Sequence, residues 1–364
     1  MDKLHTFAWY AARVAPHLPK EAFKPVPTRL LGGLVFLLIA VAGIVSIGVF
    51  DFNVWINLGI ALVLGSSFAS LGFLGHEILH GTVVRKAWLR DFLGGIAFLP
   101  LTTGPRLWRK WHNMEHHQHT QDEEKDPDAW LTIEELAKHR FLTWIYRLPF
   151  GVRAFVSFLS LTFTFTMHST NMFKQYIKEF KPEKKPAVWV QFLFPWAVWI
   201  SLLFVLGFEK WLYAYLLPVL IGNFIVMAYI STNHRLNPLV PVNDPLANCL
   251  TVTVPKWVDV IHFNFSYHTE HHLFPGMSPK YYPMVKDHIK RMWPERYHEM
   301  SLTRALIALW KTPRIYYKQN ELVDPHQLHL YGSLGHGLDP MNIKFRKLKI
   351  KKKNADSKLK NAAD

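Results

Sequence analysis

LLGGLVFLLIAVAGIVSIGVFDFNVWINLGIALVLGSSFASLGFLGHEILH, residues 30–80, carries two acidic or basic side chains, Asp51 and Glu77. Asp51 divides the stretch into apolar runs at 30–50 and 52–75, each matching the roughly 20 helical residues that cross a hydrocarbon core. So short a connection makes the second helix return along the first. HEILH, residues 76–80, closes the second run with a complete H-E-x-x-H pattern. On a helix its two imidazoles lie about 40° apart, one turn above the other, so paired ligand-type side chains stand where an apolar helix ends.

Two more charge-free runs, 187–208 and 211–233, are separated by Glu209 and Lys210. The whole chain of 364 residues is 50% apolar and 15% aromatic with only 19% charged, rich for a water-soluble globule. The expected fold is an integral membrane protein with four transmembrane helices, near 30–50, 53–75, 187–208 and 211–233, in two hairpins. Lys3, Arg13, Lys20, Lys24, Arg29, Arg85, Lys86, Arg90, Arg106, Arg109 and Lys110 gather on the side away from the turns. The positive-inside rule makes that side, with both termini, cytoplasmic. The first run follows a polar lead of 29 residues and is too long for a cleavable signal. Cys249, the single cysteine, excludes an intrachain disulfide.

Residues 154–173 are also free of charge, but Ser and Thr dilute FVSFLSLTFTFTMHST and Arg153 stands at its start; an interfacial or shallowly inserted helix is expected. FLGGIAFLPL, residues 92–101, is too short to cross and is read alike. The chain thus divides into an N-terminal segment (1–29), a main domain (30–290), a C-terminal region (291–343) and a basic tail (344–364). That tail supplies nine Lys or Arg against one Asp in KFRKLKIKKKNADSKLK, part of a net charge of +15. Lysine-rich and nearly devoid of aromatic residues, it suits anionic headgroups or solvent, and no nucleic-acid partner is expected.

The histidines form clusters. His76 and His80 are followed by WHNMEHHQH, with His112, His116 and His117, and then by YHTEHHLFP, with His268, His271 and His272. His234 follows the last apolar run as His76 follows the second. The derived topology places all of them on one face. His119, His168, His262 and His288 are left outside the set. Eight or nine imidazoles exceed the four to six ligands of one ion, which implies two metals. Adjacent histidines diverge by about 100° on a helix, so each HH pair can serve two ions. Zinc is redox-silent, whereas oxygen chemistry on an unreactive C–H bond needs a metal that changes valence; two irons are expected.

HEILH, HNMEHH and HTEHH together resemble the three histidine boxes of the membrane fatty acid desaturase and hydroxylase superfamily, and YHTEHHLFPGMSP is most similar to its desaturase branch. The resemblance covers about residues 30–290. It implies an all-α fold with four spans and a cytoplasmic helical cap, and in that cap a di-iron site held by His76, His80, His112, His116, His117, His268, His271 and His272, with His234 as the additional histidine after the final span. It also implies O2 as co-substrate, a lipid acyl substrate in a hydrophobic tunnel, and an external ferredoxin- or cytochrome-type electron donor. No His-Pro-Gly-Gly haem motif is present. Some relatives place an Asn four residues before the additional histidine; here that position is Ile230, with Asn233 adjacent to His234.

Each box carries a carboxylate, Glu77, Glu115 and Glu270, and each could take the outward N–H of a bound imidazole; Asp126 and Asp128 are weaker candidates. Related chemistries are a carotenoid hydroxylase or ketolase and an alkane hydroxylase, since hydroxyl rebound at the same site gives an alcohol. Two other classes fit less. An H-E-x-x-H intramembrane protease would use Glu77 as general base and want an acid within a later span, and residues 187–208 and 211–233 contain none. A metal transporter would want ligands at mid-bilayer, where these runs lack histidine.

Overall fold

The computed structural model describes residues 3–348; most of the basic tail, residues 349–364, lies outside them. The chain opens with α1 (Phe7–Val14) and then α2 (Arg29–Val49) and α3 (Val54–Leu79). Asn53 starts α3 by accepting the amides of Trp55 and Ile56 at 3.0 and 3.1 Å, which satisfies donors the helix cannot. α4 (Ala87–Phe98) and α5 (residues 105–119) follow, α5 widening into a π-helical turn over Lys110–His116. Next come α6 (Arg140–Arg147), α7 (Phe150–Tyr176), α8 (Lys185–Trp211) and α9 (Leu217–His234). α10 (His268–Leu273), α11 (Tyr282–Met292) and α12 (Leu302–Lys311) complete the helices that shape the site.

Among the described residues, four stretches are long and apolar enough to cross a membrane: Arg29–Val49, Val54–Leu79, Phe150–Glu179 and the near-continuous Pro182–His234. The last contains both of the later apolar runs. Its break comes at Gly207, whose φ of 74° and ψ of 163° leave the helix; a side chain there would meet the left-handed penalty glycine avoids. Beyond it, Trp211 donates to the Trp199 carbonyl at 2.9 Å and Tyr215 stacks on Trp199 at 4.1 Å, so the chain doubles back. Lys210 Nζ reaches Asp51 Oδ1 at 2.8 Å, which brings the two charge-marked turns to one end.

α3 is the central helix. Residues 67–79 are wholly buried, with α2, α4 and α9 against it. A Cβ on Gly65 would come within 2.6 Å of Ile221 on α9, so the crossing needs a residue with no side chain. α2 instead turns Leu31, Leu34, Leu38, Val41, Val45 and Val49 outward, all at least half exposed. Phe204 and Val205 of α8 are 82% and 77% exposed. Apolar stripes of this size suit lipid, not water.

α7 is longer than the 154–173 segment read from sequence. Its start is tied to the C-terminal region by Arg153–Asp324 at 2.6 Å, and the residues just past its end to α5 by Lys110–Glu179 at 2.9 Å. Its middle bonds α9, with the Thr166 amide donating to Asn223 Oδ1 at 2.8 Å.

The all-α expectation fails in the C-terminal region. β3 (Ile315–Lys318), β4 (Glu321–Asp324), β5 (His329–Gly332) and β6 (Arg346–Lys347) form an antiparallel sheet in that order. β1 (Thr251–Thr253) pairs in parallel with β2 (Glu299–Ser301). IYYK, ELVD and HLYG are strand-length runs separated by turn residues QN and PHQL, too short to register among spans of 20 residues. Their buried side chains, Ile315, Tyr316, Leu322 and Val323, pack on residues 130–146 and so close the structure beside the histidines. α1 is equally part of the body: Tyr10 and Val14 pack on Leu273, Tyr282 and Val285.

Candidate metal centre

α3, α5, α9 and α10 deliver nine histidines to one place. His76 and His80 come from the last turn of α3 and its cap, His112, His116 and His117 from α5, His234 from the end of α9, and His268, His271 and His272 from α10. The π-helical turn in α5 adds a residue to the local spacing, the kind of irregularity common at functional sites. All are buried except His80, which is partly exposed.

Their Nε2 atoms converge. His76 and His112 approach to 3.1 Å, His112 and His117 to 3.1 Å, His117 and His271 to 3.0 Å, and His234 and His268 to 2.6 Å. Ligand-type atoms of His76, His80, His112 and His271 lie within 4.8 Å of one another, as do those of His234, Cys249, His268 and His272; His117 joins His271 and His272 in a third set. His116 lies 4.9 Å from His234 and 5.1 Å from His272, ring to ring.

The outer nitrogens fix which way the protons sit. His234 Nδ1 faces the Asn248 carbonyl at 2.9 Å, and a carbonyl only accepts. His116 Nδ1 faces the Asp126 carboxylate at 2.9 Å. Thr120 donates to the His116 carbonyl and Tyr282 to the Phe274 carbonyl, so their oxygens are left to accept from His272 Nδ1 at 3.2 Å and His271 Nδ1 at 3.1 Å. Protons on four Nδ1 atoms leave four Nε2 lone pairs pointing inward. Lone pairs in a dry cluster repel one another unless a cation accepts them. His80 Nε2 and His272 Nε2 have no hydrogen-bond partner although buried, so the residues fit metal ions.

Electrostatics agree. Burial holds the imidazoles of His112, His117, His268, His271 and His272 well below their ordinary values, and neutral imidazole is the ligand form. His116 differs. Burial pushes it down too, but the facing Asp126 carboxylate raises it overall; the same contact lowers Asp126 against its own burial. A metal-bound imidazole with a carboxylate behind it is a stronger donor.

The three box carboxylates face away from the imidazoles. Glu77 binds Arg29 Nε at 2.9 Å and Ser278 Oγ at 2.8 Å, which fastens α2 and the loop after α10 to the end of α3. With both oxygens so engaged, it does not stand as a general base. Glu115 pairs with Lys110, and Glu270 accepts from Thr251 at 2.7 Å and from Tyr297. None reaches an imidazole nitrogen; Asp126 does, and Asp128 Oδ2 lies 3.5 Å from His116 Nδ1. An acid inside a box spaced for inward histidines points outward by the same periodicity, whereas Asp126 folds back from the loop.

Cys249, Thr120, Asn248 and Tyr282 carry no motif that sequence reading could use. Cys249 Sγ lies 4.0 Å from His234 Nδ1 and hydrogen-bonds Asn248 Oδ1 at 3.0 Å. Asn233 is buried with its side-chain amide unbonded. Ile230 lines an apolar cavity of about 30 Å³ with Phe73, Phe165, Val226 and Phe265, closed on one side by His76, His112, His116, His234 and His268. His262, left outside the set, bonds Tyr229 at 2.9 Å, and His168 packs on Trp111.

Fold and centre define a class: a helical membrane protein with adjoining groups of buried, inward-facing imidazoles that can bind metal. Comparison with known proteins narrows it. The fatty acid desaturase family model matches residues 53–304, and the chain belongs to that family. It is 24% identical to an sn-1 oleoyl-lipid 12-desaturase of Synechocystis sp., over 87% of this chain and 90% of that protein. It is 22% identical to a chloroplastic omega-6 fatty acid desaturase of Glycine max, over 84% and 73%. An sn-1 acyl-lipid omega-3 desaturase (ferredoxin) of Synechocystis sp. is 24% identical over 71% and 74%.

Proposed function

We propose that the chain is an oxygen-dependent acyl-lipid desaturase whose centre holds two irons, one by His76, His80, His112 and His271 and one by His116, His234, His268 and His272, with His117 between them. The carrying observation is the set of four Nε2 lone pairs fixed inward by Asn248, Asp126, Thr120 and Tyr282. The reaction balances as –CH2–CH2– plus O2, two electrons and two protons giving –CH=CH– and two waters. Bound iron supplies the one-electron steps that this needs and that zinc lacks.

The chain's own residues position and shield. Phe73, Phe165, Ile230 and Phe265 form the apolar wall against the histidines, which excludes water and leaves room only for methylene-like groups once the cavity widens to admit a chain. Asp126 holds the outer proton of His116 and Asn248 that of His234, so the rings do not turn as charge changes between them. Electrons come from an external carrier, as in the ferredoxin-linked name of one relative.

We read the membrane arrangement as two hairpins, 30–75 and 187–233, with the histidines at the cytoplasmic end. The Asp51–Lys210 contact at the opposite end supports it. α7 then lies at the interface, because both of its ends are tied to elements beside the histidines.

Lipid mass spectrometry with double-bond localisation tests the proposal, on a host producing wild type or His271→Ala beside metal analysis of each purified protein. The expected result is about two irons per chain and new double bonds for wild type, and neither for the variant. Hydroxylated acyl chains, or zinc in place of iron, would overturn it.

A further inference from the structure

The centre accounts for the acyl chain and leaves the polar end of the lipid without a place. A second cavity, about 300 Å³, lies between α6, α7 and the segment after α12, a volume typical of ligand sites. Its mouth is apolar and open: Phe141, Leu159 and Phe163 line it and are 69%, 52% and 48% exposed. Its interior is cationic. Arg314 is 6% exposed, and among the described residues no carboxylate lies within ion-pair reach of it, since the nearby Arg153 takes Asp324. Arg235 and Arg314 both lie over the Trp130 ring, at 4.2 and 5.5 Å, which adds positive charge.

Two donors here are unsatisfied. Arg314 Nε and Trp130 Nε1 are buried without an acceptor, and both residues line the cavity. Neither side chain can accept, so whatever completes them brings acceptor oxygens, and the uncompensated guanidinium asks that these be anionic. Arg314 also holds a φ of 64°, a conformation costly for a residue with a side chain and commonly kept at functional sites.

The two cavities adjoin. Asp128 lines the one at the histidines and Trp130 this one; on α7, Phe165 lines the first and Ser157 the second. Eight residues of helix are roughly 12 Å, less than the length of an extended fatty acyl chain. We propose that this cavity seats the phosphate diester of an anionic glycerophospholipid, hydrogen-bonded by Arg314 and Trp130, while an acyl chain of the same molecule runs along α7 to the histidines. The part about the acyl chain rests on the desaturase reading; the headgroup site does not.

The test is binding of dioleoyl phosphatidylglycerol to the purified full-length protein by native mass spectrometry, with dioleoylglycerol, which lacks the phosphate diester, and oleate as parallel arms. Wild type should bind phosphatidylglycerol at least about tenfold more tightly than either. Arg314→Gln should abolish that preference and Arg314→Lys keep part of it. Ser160→Trp fills the cavity and leaves Arg314 in place, so it should lose binding if the Arg314 variants fail to fold. Preserved metal content and melting temperature identify variants that remain folded. Equal binding of phosphatidylglycerol by wild type and Ser160→Trp, or preference for oleate, would overturn the site. If Arg314-dependent binding is found but no lipid gains a double bond, the headgroup site stands and the desaturase reading falls.

Discussion

The two histidine groups are built by different means. In the group of His116, His234, His268 and His272, three imidazoles are gripped at Nδ1 by oxygen: Asp126, the Asn248 carbonyl and Thr120. In the group of His76, His80, His112 and His271, only His271 has such a grip among the described residues, from Tyr282. The other three crowd around Trp108, with ring centroids at 5.2, 5.7 and 4.3 Å. Hydrogen bonds fix ring orientation and proton position together, while aromatic packing fixes orientation alone. The first group therefore offers a metal preset donors, and the second would rely more on the ion to align it.

His117 tests whether the groups are separable at all. Its Nε2 lies 3.1 Å from His112 and 3.0 Å from His271, and its ring stacks on His272 at 4.4 Å. His117→Ala should lower bound iron below one per chain and cost activity by more than the roughly 10–100-fold typical of outer partners. Quantitative iron analysis with turnover checks it; a chain keeping both irons would place His117 outside the centre.

Asp126→Asn comes next. The amide keeps the shape but not the charge, so His116 loses a charge-assisted bond and the ring can present either nitrogen inward. Iron affinity of that group should fall roughly 10–100-fold, with the Trp108 group holding its metal. Competition against a chelator, read as one weakened and one unchanged iron, checks this. Equal weakening of both would erase the distinction between the groups.

Much of this was legible in the sequence, because charge-free length and histidine spacing are properties of single segments. The apolar runs at 30–50 and 52–75 fall on α2 and α3, and all nine singled-out histidines meet. What hid were pairings across segments. Glu77, Glu115 and Glu270 sit inside the boxes, yet the acid on a box histidine is Asp126, reached through a loop in which Gln121 takes a φ of 61°. Arg29 lies 48 residues before its partner Glu77, and Arg153 finds Asp324 across 171. Short strands at 315–332 escaped for a related reason: each is meaningless alone and acquires a face only when its neighbour in the sheet is present.

The smallest effect should come from Tyr282→Phe, and its size is what makes it useful. The Tyr282 hydroxyl accepts from His271 Nδ1 and donates to the Phe274 carbonyl at 3.2 Å; removal leaves His271 Nδ1 without its partner, while the Phe274 carbonyl keeps the Met277 amide at 3.0 Å. Both lost bonds involve neutral groups, each contributing about 0.5–1.5 kcal/mol net, and Trp108 packing around the rest of the group is untouched. Iron affinity should fall about three- to tenfold, less than for Asp126→Asn, and the loss should appear in the Trp108 group. The same chelator competition reads both variants on one scale. If Tyr282→Phe instead matches or exceeds Asp126→Asn, neutral and charged grips are equivalent in this dry centre, and burial, not the carboxylate, sets how tightly each group holds its ion.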